Sequence, residues 1–136
     1  MGSRHNGCAT LGMPFTAHYR ELVAWQRADA LFIRLHLLAL KGFPAHERFV
    51  LGSQMRRAAL SVPANIVEGT ARIHSREQLQ FLRVAWSSLF EVGYYVHVAE
   101  CLGYISPALR REIETDIRRV TAPLLGLIRR RQSRPE

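Results

Sequence analysis

At 136 residues the chain has the length of one domain, enough to bury a core without disulfide or metal staples. A hydrophobic share of 48% excludes a largely disordered chain, and two cysteines, Cys8 and Cys101, exclude a disulfide framework and point to a reducing compartment. The net charge is +8, and Lys41 is the only lysine among 19 basic residues, so arginine, with its bidentate fit to phosphate and carboxylate, dominates the surface chemistry. This balance points to an acidic partner, nucleic acid first; a solvated arginine-rich face explains the same composition.

Residues 1–16 contain Gly, Ser and His without an apolar period and read as a flexible tail. Met1–Met13 lacks the apolar stretch of a secretory signal, and Asn6 stands where a myristoylation motif after Gly2 needs Ser or Thr. No apolar run approaches the roughly 18 to 20 residues of a membrane span, and the chain is expected in the cytoplasm. A first helix is predicted from about Ala17 to Leu40, with Trp25, Ala28, Phe32, Leu35 and Ala39 on one face. Lys41-Gly42-Phe43-Pro44 ends it, Gly42 as cap and Pro44 as the stop. A second helix follows over about Glu47 to Ile73. Ser75 and Gln78 read as a capping box opening a third, which reaches about Leu102 and is closed by Gly103. Ser106-Pro107, an N-cap followed by proline at the first helical position, opens a fourth to about Arg131, and residues 132–136 form a second tail. Without strand-like alternation, a Gly-rich phosphate loop or a repeat, the pattern predicts one all-α domain over residues 17–131, an antiparallel up-and-down four-helix bundle.

The helix faces add detail. The third helix carries one stripe of Leu79, Leu82, Ala85, Trp86, Leu89, Gly93 and Val96, and a second, nearly opposite, of Phe81, Val84, Tyr95, Val98 and Leu102. A helix apolar on two sides is normally buried on both, so self-association through the second stripe is expected. In the second helix Leu51, Met55, Ala58, Ala59, Val62, Ile66 and Gly69 form a core stripe of mostly small residues, while Leu60 and Val67 point elsewhere. Gln54, Arg57, Ser61, Asn65, Glu68 and Arg72 form a polar ridge, and Pro63 removes a backbone donor and predicts a kink. Glu68 and Arg72 are spaced for an i,i+4 pair; Arg57 and Glu68 are three turns apart and are left to pair between helices or subunits.

The run Gln54-Met55-Arg56-Arg57-Ala58-Ala59, then Ser61-Val62-Pro63-Ala64-Asn65-Ile66-Val67-Glu68-Gly69, resembles the signature of the four helix bundle proteins encoded in intervening sequences of bacterial 23S ribosomal RNA genes, also known as an S23 ribosomal protein family. Tyr19-Arg20-Glu21-Leu22, Trp25-Gln26-Arg27-Ala28, Phe43-Pro44 with Glu47-Arg48-Phe49, Glu77, Phe81-Leu82-Arg83 with Ala85, and Leu102-Gly103-Tyr104 extend the likeness over about residues 17 to 131. The resemblance implies a bundle that assembles as a ring-like homopentamer, in a family without an established molecular function. A related group, the accessory variability proteins of diversity-generating retroelements, is pentameric and binds nucleic acid and a reverse transcriptase, which is analogy for this chain. Two departures stand out: Pro123 is expected to interrupt the fourth helix, and the Arg129-Arg130-Arg131 end is unusually basic.

Arg111, Arg118, Arg119, Arg129, Arg130 and Arg131 are the candidate nucleic-acid-binding residues. In an uninterrupted helix Arg111, Arg118 and Arg129 align within roughly 20°, opposite a core stripe of Leu109, Ile113, Ile117, Val120, Leu124 and Leu127. Repeated by symmetry they would displace counterions from a phosphate backbone without reading sequence; Glu112, Glu114 and Asp116 would instead balance a merely solvated face. No aromatic is interleaved with these arginines, so base stacking lacks a platform in the pattern. Gln54, Arg57, Ser61, Pro63, Asn65, Glu68 and Gly69 form the candidate assembly motif, a polar network that fixes helix and subunit register. No catalytic or metal set emerges: His36 and His97 lie without an i,i+4 cluster suited to zinc, and Cys101 reads as a small buried hydrophobe. The expected function is a non-catalytic pentamer binding RNA or DNA. The alternatives are an adaptor for an operon partner such as a reverse transcriptase and, least favoured, an enzyme using the Ser61–Asn65–Glu68 ridge. No cofactor is expected.

Overall fold

The computed structural model describes residues 18–134. The expected tail over residues 1–16, Cys8 within it, lies outside the described residues, as do residues 135–136. Among the described residues are four α-helices and no strand: α1 (Val23–Lys41), α2 (Leu51–Ala71), α3 (Ser75–Cys101) and α4 (Pro107–Gln132), with single 3-10 turns at His18–Glu21 and Ala45–Glu47. α1 packs on α2, α2 on α3, α3 on α4, and α4 returns to α1. Each helix supplies at least one large, fully buried side chain to the shared core: Leu35, Met55 and Ile66, Leu89, and Ile113 and Leu124. Each such burial contributes about 1.5–3 kcal/mol relative to exposure.

The expected core stripes are present. All seven α2 positions from Leu51 to Gly69 are buried, as are Ile113, Val120, Leu124 and Leu127 of α4. In α1 Ala24 and Leu31 join Ala28, Leu35 and Ala39 at the centre, and Trp25 and Phe32 pack against it half-buried. α1 starts later than the apolar period suggests. Leu22 is extended (φ −74°, ψ 121°), because the preceding segment closes its own 3-10 turn and the carbonyl of Arg20 accepts from Gln26 Nε2 at 2.8 Å.

The helix ends follow their local chemistry, with one correction. The Ser106 side chain accepts from the Leu109 N–H at 3.1 Å, with Pro107 at the first helical position. Gly103 (φ +77°) ends α3 in a Schellman pattern: the Gly103 N–H donates to the Glu100 carbonyl at 2.9 Å and the Tyr104 N–H to the Ala99 carbonyl at 2.8 Å. Ser75, expected to cap α3, is instead its first helical residue, and His74 holds the cap position without a side-chain bond. Gln78 reaches past Ser75 to donate through Nε2 to the Arg72 carbonyl at 2.6 Å, tying the two helices across their three-residue connection. α2 runs unbroken through the buried Pro63.

Candidate nucleic-acid interface

α4 also runs unbroken through Pro123, which corrects the expected interruption. Proline at 123 leaves the carbonyl of Arg119, four residues back, without its helical donor. Arg27 of α1 supplies the replacement: its Nη1 donates to the Arg119 carbonyl at 2.8 Å. A guanidinium from the neighbouring helix thus satisfies the group that proline would otherwise orphan.

Continuity of α4 keeps Arg111, Arg118 and Arg129 on one outward line, and all three are exposed, as are Arg119 and Arg130. Arg131 departs from the expectation of a surface cation. It is half-buried, its Nε has no hydrogen-bond partner among the described residues, and burial beside Arg134 and Arg130 pushes its pKa down. The carboxylates that would balance a merely solvated face, the alternative reading, turn elsewhere. Glu112 and Asp116 both pair with Arg34 of α1, at 2.9 and 2.6 Å. Glu114 pairs with Arg110 at 2.6 Å, and Glu100 holds the same guanidinium, which raises the Arg110 pKa. Among the described residues no carboxylate stands within ion-pair distance of Arg111, Arg118, Arg119, Arg129 or Arg130.

The candidate assembly motif lies along one unbroken helix, with its members differing in exposure. Gln54, Arg57 and Glu68 are exposed, Ser61 and Asn65 half-buried, and Pro63 and Gly69 buried. Ser61 is the hub: Asn65 Nδ2 donates to its carbonyl at 2.7 Å and to its Oγ at 2.9 Å, while Ser88 of α3 donates to the same Oγ at 2.8 Å. Gly69 admits α3 closely, since a Cβ there would stand 3.3 Å from the Gln78 carbonyl oxygen and from Phe81 Cβ. Glu68 and Arg72 form the expected pair at 2.6 Å, and the Arg72 guanidinium lies 4.7 Å from the Phe81 ring centre.

The second stripe of α3 divides as well. Tyr95 and Val98 pack against the core, while Val84 and Leu102 are about half exposed. Beside these lie Phe90 (61% exposed) and Tyr94 (63%), which the sequence reading missed although their i,i+4 spacing was visible. Cys101 is exposed rather than buried, and its Sγ lies 3.6 Å from Nε2 of His97, four residues earlier, so His97 does have an i,i+4 neighbour. Among the described residues no three His, Cys, Asp or Glu converge as a metal set.

A concavity of about 880 Å³ opens between α1 and α4. Arg20, Arg27, Arg34 and Arg119 line it with Asp116, Gln26 and Trp25. It places an aromatic among the arginines, which the pattern of α4 alone could not show.

The geometry defines an all-helical, four-helix protein with an arginine-rich outer face. The sequence matches the 23S rRNA-intervening sequence protein family over residues 20–126, and the chain belongs to that family. Its fold is similar to that of a protein of unknown function from the S23 ribosomal protein family of Bacteroides thetaiotaomicron VPI-5482. That likeness has a TM-score of 0.70 at 19% identity and covers 79% of this chain and 96% of the other. No curated protein matches the sequence.

Proposed function

We propose that the chain is a non-catalytic protein that binds RNA or DNA through arginine surfaces without strong sequence specificity. The observation that carries this reading is the division of charge in α4: its carboxylates serve Arg34 and Arg110, and five exposed guanidinium groups keep no carboxylate among the described residues. Cations so placed release counterions from a phosphate backbone and carry no base-reading geometry of their own. A non-catalytic role accords with the α2 ridge, where Ser61, Asn65 and Ser88 bond one another.

The bundle is read as antiparallel and up-and-down. Arg27 meets Arg119 while Arg34, further along α1, meets Asp116 and Glu112, and Ser61 meets Ser88 while Gly69 faces Gln78 and Leu82. Assembly into a ring-like homopentamer is what the family resemblance implies, and the exposed Val84, Phe90, Tyr94 and Leu102 of α3 support a subunit contact there. The protein is read as cytoplasmic; no described helix is long and apolar enough to cross a membrane. The same aromatic face favours a second reading, an adaptor for a partner protein. Phe90→Arg with Tyr94→Arg separates the two: loss of assembly mass assigns the face to subunit contact, and retention of it frees the face for a partner.

The test is fluorescence anisotropy with RNA and DNA oligonucleotides of equal length and unrelated sequence. Similar affinities that fall steeply with salt support the reading, whereas undetectable or salt-independent binding sinks it.

A further inference from the structure

We propose that the α1–α4 cleft seats a single-stranded stretch of nucleic acid, its phosphates on Arg20, Arg27 and Arg119 and one base against Trp25; this rests on the nucleic-acid reading above. The cleft is lined by four guanidinium groups and one carboxylate, and that carboxylate, Asp116, is held by Arg34 at 2.6 Å. Arg34 is also occupied by Glu112. Arg20, Arg27 and Arg119 therefore face the cavity with no carboxylate within ion-pair distance among the described residues.

These cations are positioned in advance. Arg27 uses one of its five donors on the Arg119 carbonyl that Pro123 leaves open, which fixes the guanidinium while leaving other N–H groups for phosphate. The Arg20 carbonyl accepts from Gln26, and its Nε lies 3.4 Å from the Tyr19 hydroxyl. Trp25 is steadied by Tyr19, with ring centres 4.9 Å apart at 69°. Held groups lose less freedom when a ligand arrives.

The combination of cation and aromatic selects the ligand. A volume of about 880 Å³ between two packed helices accepts a strand of one or a few nucleotides. A duplex turns its bases inward, so none of its base faces can reach Trp25. Single strands offer both backbone charge and a free base face, the pairing used by stacking platforms. The outer α4 arginines, without an aromatic, treat both forms alike.

The test measures the full-length chain against a single-stranded oligonucleotide and its duplex, by anisotropy and by indole fluorescence in a Trp86→Phe background, where Trp25 is the remaining tryptophan. The single strand is expected to quench Trp25 and the duplex to leave it unchanged. Trp25→Leu should weaken single-strand binding about tenfold and Arg20→Gln, a cleft cation outside the α4 face, about fivefold, with duplex binding nearly constant. Arg118→Gln, on the outer face, should weaken both forms equally. Should Trp25→Leu fail to fold by thermal melting, Arg20→Gln and the quenching carry the test. If the wild-type chain binds and neither cleft variant separates the two forms, the cleft assignment falls while the broader reading stands. If the wild-type chain binds neither form, both fall.

Discussion

Between α2 and α3 the helices meet through Gly69, Ser61 and Ser88; between α1 and α4 they meet through Arg27, Arg34, Asp116 and the Arg119 carbonyl. The first seam uses the smallest groups available, so the backbones approach closely and a short polar network fixes register. The second uses the longest side chains, which span the gap as charged struts and leave a cavity of about 880 Å³. The struts have a further effect. By drawing Glu112 and Asp116 toward α1, they leave the outer arginines of α4 uncompensated. The contrast puts close packing in one seam and, on the reading proposed above, the binding chemistry in the other.

Substitutions can break that division at several strengths. The largest loss is expected from Ile66→Ala in the tight half, where the fully buried side chain leaves a cavity worth about 3 kcal/mol in urea denaturation. Gly69→Val should cost about 2 kcal/mol by the same measurement, since its Cβ already stands 3.3 Å from α3 atoms and the added methyls must displace them. Gly126→Ala in α4 is the opposite case: among the described residues no atom beyond its chain neighbours and its own helix backbone lies within 4 Å of an added Cβ, and the gain in helix propensity should raise stability by about 0.7 kcal/mol. Arg34→Ala removes two partly exposed ion pairs and should cost about 0.5 kcal/mol, a loss that shrinks with added salt. An Arg34→Ala loss as large as that of Ile66→Ala would show that the charged seam carries the fold.

Much of the fold was legible because apolar spacing within one helix decides which face is buried; the α2 stripe from Leu51 to Gly69 and the Ser106-Pro107 start are found as expected. Helix starts were less legible. Residues 18–22 fall within the first helix expected from the sequence, yet a 3-10 turn at His18–Glu21 and the Gln26 bond to the Arg20 carbonyl intervene. The site depended on contacts that periodicity cannot see. Arg27 and Arg119 are 92 positions apart, and Arg34 and Asp116 are 82 apart. Pro123 looked like a break because its rescue comes from another helix. Phe90 and Tyr94, by contrast, stand at a visible i,i+4 spacing beside His97 and Cys101, but they lie off the core stripe that apolar periodicity picks out.

The most direct measurement of the central claim is the salt dependence of duplex DNA affinity for the wild-type chain and for Arg111→Gln/Arg118→Gln/Arg129→Gln. Uncompensated outer arginines predict a log–log slope shallower by about 2.7 in the triple variant, roughly 0.9 for each lost phosphate contact, with unchanged thermal stability. An unchanged slope, or a wild-type chain that fails to bind duplex at low salt, would contradict it.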